Sequence, residues 1–169
     1  MRILSLLFVL LLACADAQAQ QWSEYQSPTG RYRIEMPGTP AVTTAQVSLT
    51  GGGTAPMVQA VVEIEDSAYV ATHTDYAPSS FSNGPAQDAL AKVRDGSAAG
   101  KKLLGDRTFS NSGYPAREYV IESTDGTTLV VRSALARNRL YQMIAVYRTG
   151  KAEPPGVRRF INSFTILPQ

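Results

Sequence analysis

The chain has 169 residues, 44% apolar and 18% charged, with one cysteine, one histidine and a formal charge of +2. That length fits one domain with a core large enough to stand without staples. A single cysteine excludes an internal disulfide and a cysteine-rich metal site, and a single histidine leaves little room for a histidine cage or relay.

Arg2 precedes an apolar run from Ile3 to Ala13. The run is too short to span a bilayer, which takes about 20 residues, and reads as a secretory signal. Two processing sites compete. Ala17-Gln18-Ala19 has small residues at the positions a signal peptidase needs, giving a signal over 1–19 and a single mature domain over 20–169. Leu11-Leu12-Ala13-Cys14 resembles a lipobox, in which Cys14 would be acylated. The first fits the spacing better, because cleavage before Cys14 leaves a very short signal and almost no tether before Trp22. A mature chain without a thiol suits an oxidising compartment such as the periplasm.

The mature sequence shows no repeat and reads as α+β. A short strand is predicted over 22–26, followed by the turn Ser27-Pro28-Thr29-Gly30. From Arg31 to Met36 the pattern alternates strictly, with Tyr32, Ile34 and Met36 on one face of a half-buried strand. A weak strand over 41–49 and a stronger one over 57–64, separated by the Gly51-Gly52-Gly53 turn, make a hairpin. Another strand covers 67–74, and 77–84 is a loop. Pro85, preset for a first helical position, opens a helix that Asn83 or Gly84 can cap and that Gly100 ends.

Four strands follow, over 102–109, 114–123, 127–136 and 139–148. Thr124-Asp125-Gly126 and Arg137-Asn138 are tight turns between the last three, so these form an antiparallel meander. The last strand is apolar on both faces and is expected to be central. Pro154-Pro155-Gly156 introduces a helix whose Val157, Phe160, Ile161 and Phe164 form an amphipathic stripe, and 165–167 is a candidate edge strand. The expected architecture is an antiparallel sheet of roughly six to eight strands covered by two or three helices.

Several phrases carry a resemblance. Tyr114-Pro115-Ala116-Arg117-Glu118, Asn138-Arg139-Leu140-Tyr141-Gln142, Phe160-Ile161-Asn162-Ser163-Phe164 and Met36-Pro37-Gly38-Thr39-Pro40 together resemble a set of uncharacterised exported bacterial proteins. In shape that set is similar to the PsbP and Mog1 proteins, which implies an antiparallel sheet sandwiched between helices. The set often carries glycine where this chain has Ala116. The resemblance implies association with a protein or ligand, without catalysis, and transfers no binding residue.

Three chemistries compete with that reading. His73 and Asp75 lie two apart, on one face of a strand, and with Ser79 or Ser80 outline a small envelope hydrolase. No nucleophile-elbow motif accompanies them, and the pattern favours a surface histidine at a strand end beside a loop. Glu63, Glu65 and Asp66 are acidic neighbours without the spacing of a calcium loop, so no metal and no cofactor is expected. Trp22, Tyr25, Tyr32, Tyr141 and Tyr147 suit either a ligand groove or sheet packing.

Charge is unevenly divided. Residues 20–100 carry 4 basic and 8 acidic side chains, whereas 101–169 carry 11 and 5. Arg137, Arg139 and Arg148, with Lys151, lie near the ends of the final hairpin, and Arg158 and Arg159 line the outer helix face. These five arginines are the candidate binding residues; alternatively, the two halves neutralise each other across the sheet. The expected function is a non-catalytic binding or accessory module of the bacterial cell envelope. Its partner would be another envelope protein or a small ligand and not nucleic acid, with the membrane reached only through an anchor at Cys14.

Overall fold

The computed structural model describes residues 21–49, 52–81 and 84–168. The signal segment, both processing sites with Cys14, Gly51 and the Asn83 cap lie outside them.

Ten strands and two α-helices follow one another in these residues. β1 (Ser23–Gln26), β2 (Tyr32–Met36), β3 (Ala41–Ser48), β4 (Thr54–Ile64) and β5 (Ser67–Asp75) precede α1 (Ala86–Ala98). Then come β6 (Lys102–Asn111), β7 (Tyr114–Glu122), β8 (Thr127–Ala136), β9 (Arg139–Arg148), α2 (Pro155–Ser163) and β10 (Thr165–Ile166).

The strands form two antiparallel sheets, where the sequence suggested one. The larger is ordered β3-β4-β5-β9-β8-β7-β6 and the smaller β1-β2-β10. The chain builds the meander β3 to β5, crosses with α1 to the far edge, and returns through β6 to β9, closing the sheet where β9 pairs with β5. β9 is therefore central, as its two apolar faces require. The candidate edge strand near the C-terminus is real but belongs to the small sheet, where Thr165 and Ile166 pair with Arg33 and Tyr32. Alternation reveals that a segment is a strand; it carries no information on which strand will be its neighbour.

The large sheet separates two apolar layers. One face, with Ala71, Ala116, Val130, Ala134, Tyr141, Met143 and Ala145, packs under Tyr32, Ile34 and Met36 of β2 and Val157, Phe160 and Ile161 of α2. The other carries Leu135, Leu140, Tyr119, Ile121 and Val131 and is covered by α1 through Leu90 and Val93. Each large side chain buried this way contributes about 1.5–3 kcal/mol. Helix α2 is further tied to β2: Arg159 donates to Glu35, and Ser163 Oγ accepts the Glu35 amide at 2.8 Å. Ala116 is an ordinary extended residue of β7 buried in the first layer, so alanine is unstrained there.

Two local expectations change. Pro85 precedes the first helical residue of α1 and sits in extended backbone with no side-chain cap; its carbonyl accepts the Asp88 amide and closes the first turn. The described part of the loop over 77–84 contains a 3-10 turn, Pro78–Phe81, whose Phe81 stacks edge-on against Tyr76.

Candidate functional site

The turn joining β1 to β2 folds over the end of the large sheet where β8 turns into β9. Ser27 Oγ accepts the Gly30 amide at 2.9 Å, which shapes this turn. Side chains from β9 then hold it down: Tyr141 donates to the Gly30 carbonyl at 2.8 Å, and Arg139 Nη1 donates to the Thr29 carbonyl at 2.9 Å. The β8–β9 turn is fixed in its own way, since Asn138 Nδ2 donates to the Tyr76 carbonyl at 2.7 Å and the Tyr76 amide returns a bond to Asn138. Between the two turns lies a polar cleft of about 490 Å³, lined by Thr29, Arg31, Asp75, Asn138 and Arg139.

Asp75 and Arg139 are directly opposed across the β5–β9 ladder and form a two-point ion pair, both bonds at 2.6 Å. The hydrogen bonds from Arg139 hold the Asp75 carboxyl below its ordinary range. His73, one pleat back on β5, is not the surface residue its strand-end position suggested: it is only 4% exposed, because Tyr32 of the small sheet packs edge-on against it. Its Nε2 lies 3.4 Å from Thr29 Oγ1, and its buried Nδ1 has no hydrogen-bond partner. Burial pushes the imidazole pKa down, the Arg139 charge adds to this, and Asp75 opposes it. His73 and Asp75 thus share a face as the strand pattern foresaw, but the carboxylate is given to Arg139 and does not orient the ring.

The five candidate arginines do not form one patch. Arg137 lies in the β8–β9 turn and Arg139 follows it, while Arg148 lies at the opposite end of β9, about 30 Å away at the usual strand rise. There Arg148 pairs with Asp66 at 2.9 Å, both side chains exposed. Arg158 forms a two-point pair with Glu153 and donates to Glu118; Arg159 pairs with Glu35 and stacks on Trp22. Three acidic residues of the first half, Glu35, Asp66 and Asp75, are therefore matched to cations of the second.

A second charged cluster escapes any sequence signal. Glu118 of β7 is buried and accepts from Arg132, Arg107 and Arg158. Arg132, equally buried, also donates to the Ile161 carbonyl and to Asn162. The Arg107 and Arg132 guanidiniums each lie about 5 Å from the centre of the Phe109 ring. Burial works to raise the Glu118 pKa, but the hydrogen bonds from Arg132 and Arg107 outweigh it and hold it down. These groups lock α2 to the sheet.

Of the aromatic candidates, Tyr32, Tyr141 and Tyr147 are buried in the layer between the two sheets, with Trp22 and Tyr25 packed against it. They are core, not the wall of a groove. Thr29, Arg31 and Asn138 line the cleft without having been singled out as site residues. A turn motif was visible at each, but nothing in the sequence brings the two turns together.

The fold is similar to the solution structure of cyanobacterial PsbP (CyanoP) from Synechocystis sp. PCC 6803. The TM-score is 0.56 at 13% identity, over 92% of this chain and 98% of that one. At this identity the likeness establishes a PsbP-like fold and nothing about partners. A protein of unknown function from Pseudomonas aeruginosa, PA94, gives a TM-score of 0.37 at 12% identity over 81% of this chain and 85% of that one, too low to carry an argument. No protein-family model and no curated protein matches the sequence. Among the described residues, no helix is long and apolar enough to cross a membrane.

Proposed function

We propose that the protein is an exported, non-catalytic binding or accessory module of the bacterial cell envelope, and that it works through the cleft between the β1–β2 and β8–β9 turns. The observation that carries this reading is the Asp75–Arg139 pair. A nucleophilic hydrolase needs its carboxylate behind the histidine, fixing the ring. Here the carboxylate is committed to a guanidinium, and that guanidinium is committed to the Thr29 carbonyl. The result is a rigid polar surface of fixed charge, suited to recognition. The exported setting rests on the leader-like segment before Trp22. A PsbP-like fold is compatible with an accessory role but does not specify one.

The test is affinity capture from an envelope extract with the protein and with a Thr29→Trp form that fills the cleft. A partner enriched by the first and lost with the second supports the reading. Turnover of simple esters that disappears in His73→Ala overturns it in favour of a small envelope hydrolase using His73 and Asp75. Labelling with a palmitate analogue separates an anchored form, acylated at Cys14, from one that begins at Gln20.

A further inference from the structure

Eleven arginines fall among the described residues, and nine of them are in ion pairs. The two that are not, Arg31 and Arg137, sit at the same end of the molecule. Arg31 lines the cleft, and Arg137 immediately precedes its lining residue Asn138. Both are exposed and both have left-handed backbone, φ 52° and 57°. For a bulky side chain that conformation is uncommon and survives where the surroundings impose it. At Arg31 the surroundings are on view: the Ser27 amide donates to the Tyr32 carbonyl and the Leu167 amide to the Arg31 carbonyl, both at 2.9 Å. At Arg31 these bonds hold the backbone, and with it the point from which the unpaired side chain departs beside the cleft.

We propose that this cleft is an oxyanion-binding site, with Arg31 and Arg137 as the guanidiniums that engage a carboxylate or phosphate group of the ligand. The proposal rests on the reading of the cleft as the working surface. The guanidinium fork matches the two oxygens of either group and favours a bidentate contact. Asp75 does not occupy this role, because its oxygens are taken by Arg139. It leaves Arg31, Arg137 and Arg139 with one countercharge, so the cleft has a net positive field that draws anions in. Thr29, on the cleft wall, adds a neutral polar side chain. Elsewhere the arginines already have their carboxylates, and a ligand there would have to displace an internal partner.

The experiment is an NMR titration of the whole mature protein with inorganic phosphate and, separately, with acetate, at constant ionic strength. Saturable shifts at 29–31 and 137–139 are expected with at least one anion. Arg31→Gln should weaken binding by about tenfold, the loss of a hydrogen bond to a charged group. Arg137→Gln, on an exposed turn, should weaken it in the same sense, whereas Arg148→Gln at the far end of β9 should leave it unchanged. Unaltered thermal unfolding confirms that each variant is folded. Preference for phosphate indicates a phosphorylated ligand or headgroup; preference for acetate indicates an acidic side chain or chain terminus. No saturable shift with either anion, or an equal loss in Arg148→Gln, overturns the proposal. If neither anion binds but Thr29→Trp still abolishes partner capture, the oxyanion site fails and the binding module stands; phosphate binding without any captured partner is the reverse case.

Discussion

Asp75 and Arg139 are cross-strand partners whose side chains close a two-point ion pair at the end of the β5–β9 ladder. The same guanidinium reaches beyond the sheet to the Thr29 carbonyl, so one side chain joins the large sheet to the turn of the small one.

Arg139→Ala is expected to destabilise the protein by about 1 kcal/mol, a modest figure because Asp75 is half exposed and stays hydrated without its partner. The melting temperature should fall by about 2–4 °C. Asp75→Asn, which keeps the bond to Thr29, should cost less. A loss from Asp75→Asn equal to that from Arg139→Ala would mean that the bond to the turn contributes nothing.

The buried pair Glu118–Arg132 should behave differently. Glu118→Ala leaves the Arg132 charge buried and uncompensated, which costs about 3–5 kcal/mol. Arg107→Ala removes a mostly exposed partner of the same carboxylate and should cost under about 1 kcal/mol. Urea denaturation of the two variants measures the contrast, and similar values would show that Arg132 finds other compensation.

His73 imposes a pH dependence. Its folded pKa is below the ordinary 6.5, so the unfolded chain binds the proton more readily. Stability contributed by the neutral ring is complete above 6.5 and declines as pH falls below it, until the folded imidazole itself protonates. His73→Gln should flatten this part of the stability profile. The Asp75 contribution lies lower, present above 3.8 and lost as pH falls through its depressed value. A wild-type profile that is flat on descending from pH 7 would refute the assignment to His73.

Two glycines should respond in opposite directions to alanine. At Gly156, in the first turn of α2, a Cβ would come within 2.7 Å of both Trp22 and the Tyr69 hydroxyl. Both rings are packed against Phe160 or each other, so Gly156→Ala should cost about 1–3 kcal/mol. At Gly96, inside α1, a Cβ meets nothing within 4 Å. Gly96→Ala should stabilise by roughly 0.5–1 kcal/mol, the helix-propensity difference. Thermal melts of the two variants report both signs.

The elements were largely legible in the sequence because each has a local cause. β8 and β9 have the bounds that alternation and turn residues dictate, and α2 buries Val157, Phe160 and Ile161 as their spacing requires. The second sheet was not legible, since Tyr32–Met36 and Thr165–Ile166 look like any half-buried strands until the chain has closed. The cleft was not legible either. It is made of two turns, each recognisable alone, that are brought together by Arg139 and Tyr141.

Charge shows the division most directly. The sequence by itself determined an α+β domain of antiparallel strands, with an acidic first half and a basic second half. Only the tertiary structure decided which of those charges cancel. Strand register put Asp75 beside Arg139, the β4–β5 turn put Asp66 beside Arg148, and the docking of α2 put Glu35 beside Arg159. Ion pairing acts over a few ångströms, so it depends on which side chains the fold makes neighbours and not on how many of each sign the chain contains. Arg31 and Arg137 remain as the uncancelled charges, beside a cleft that neither their number nor their spacing in the sequence could have located.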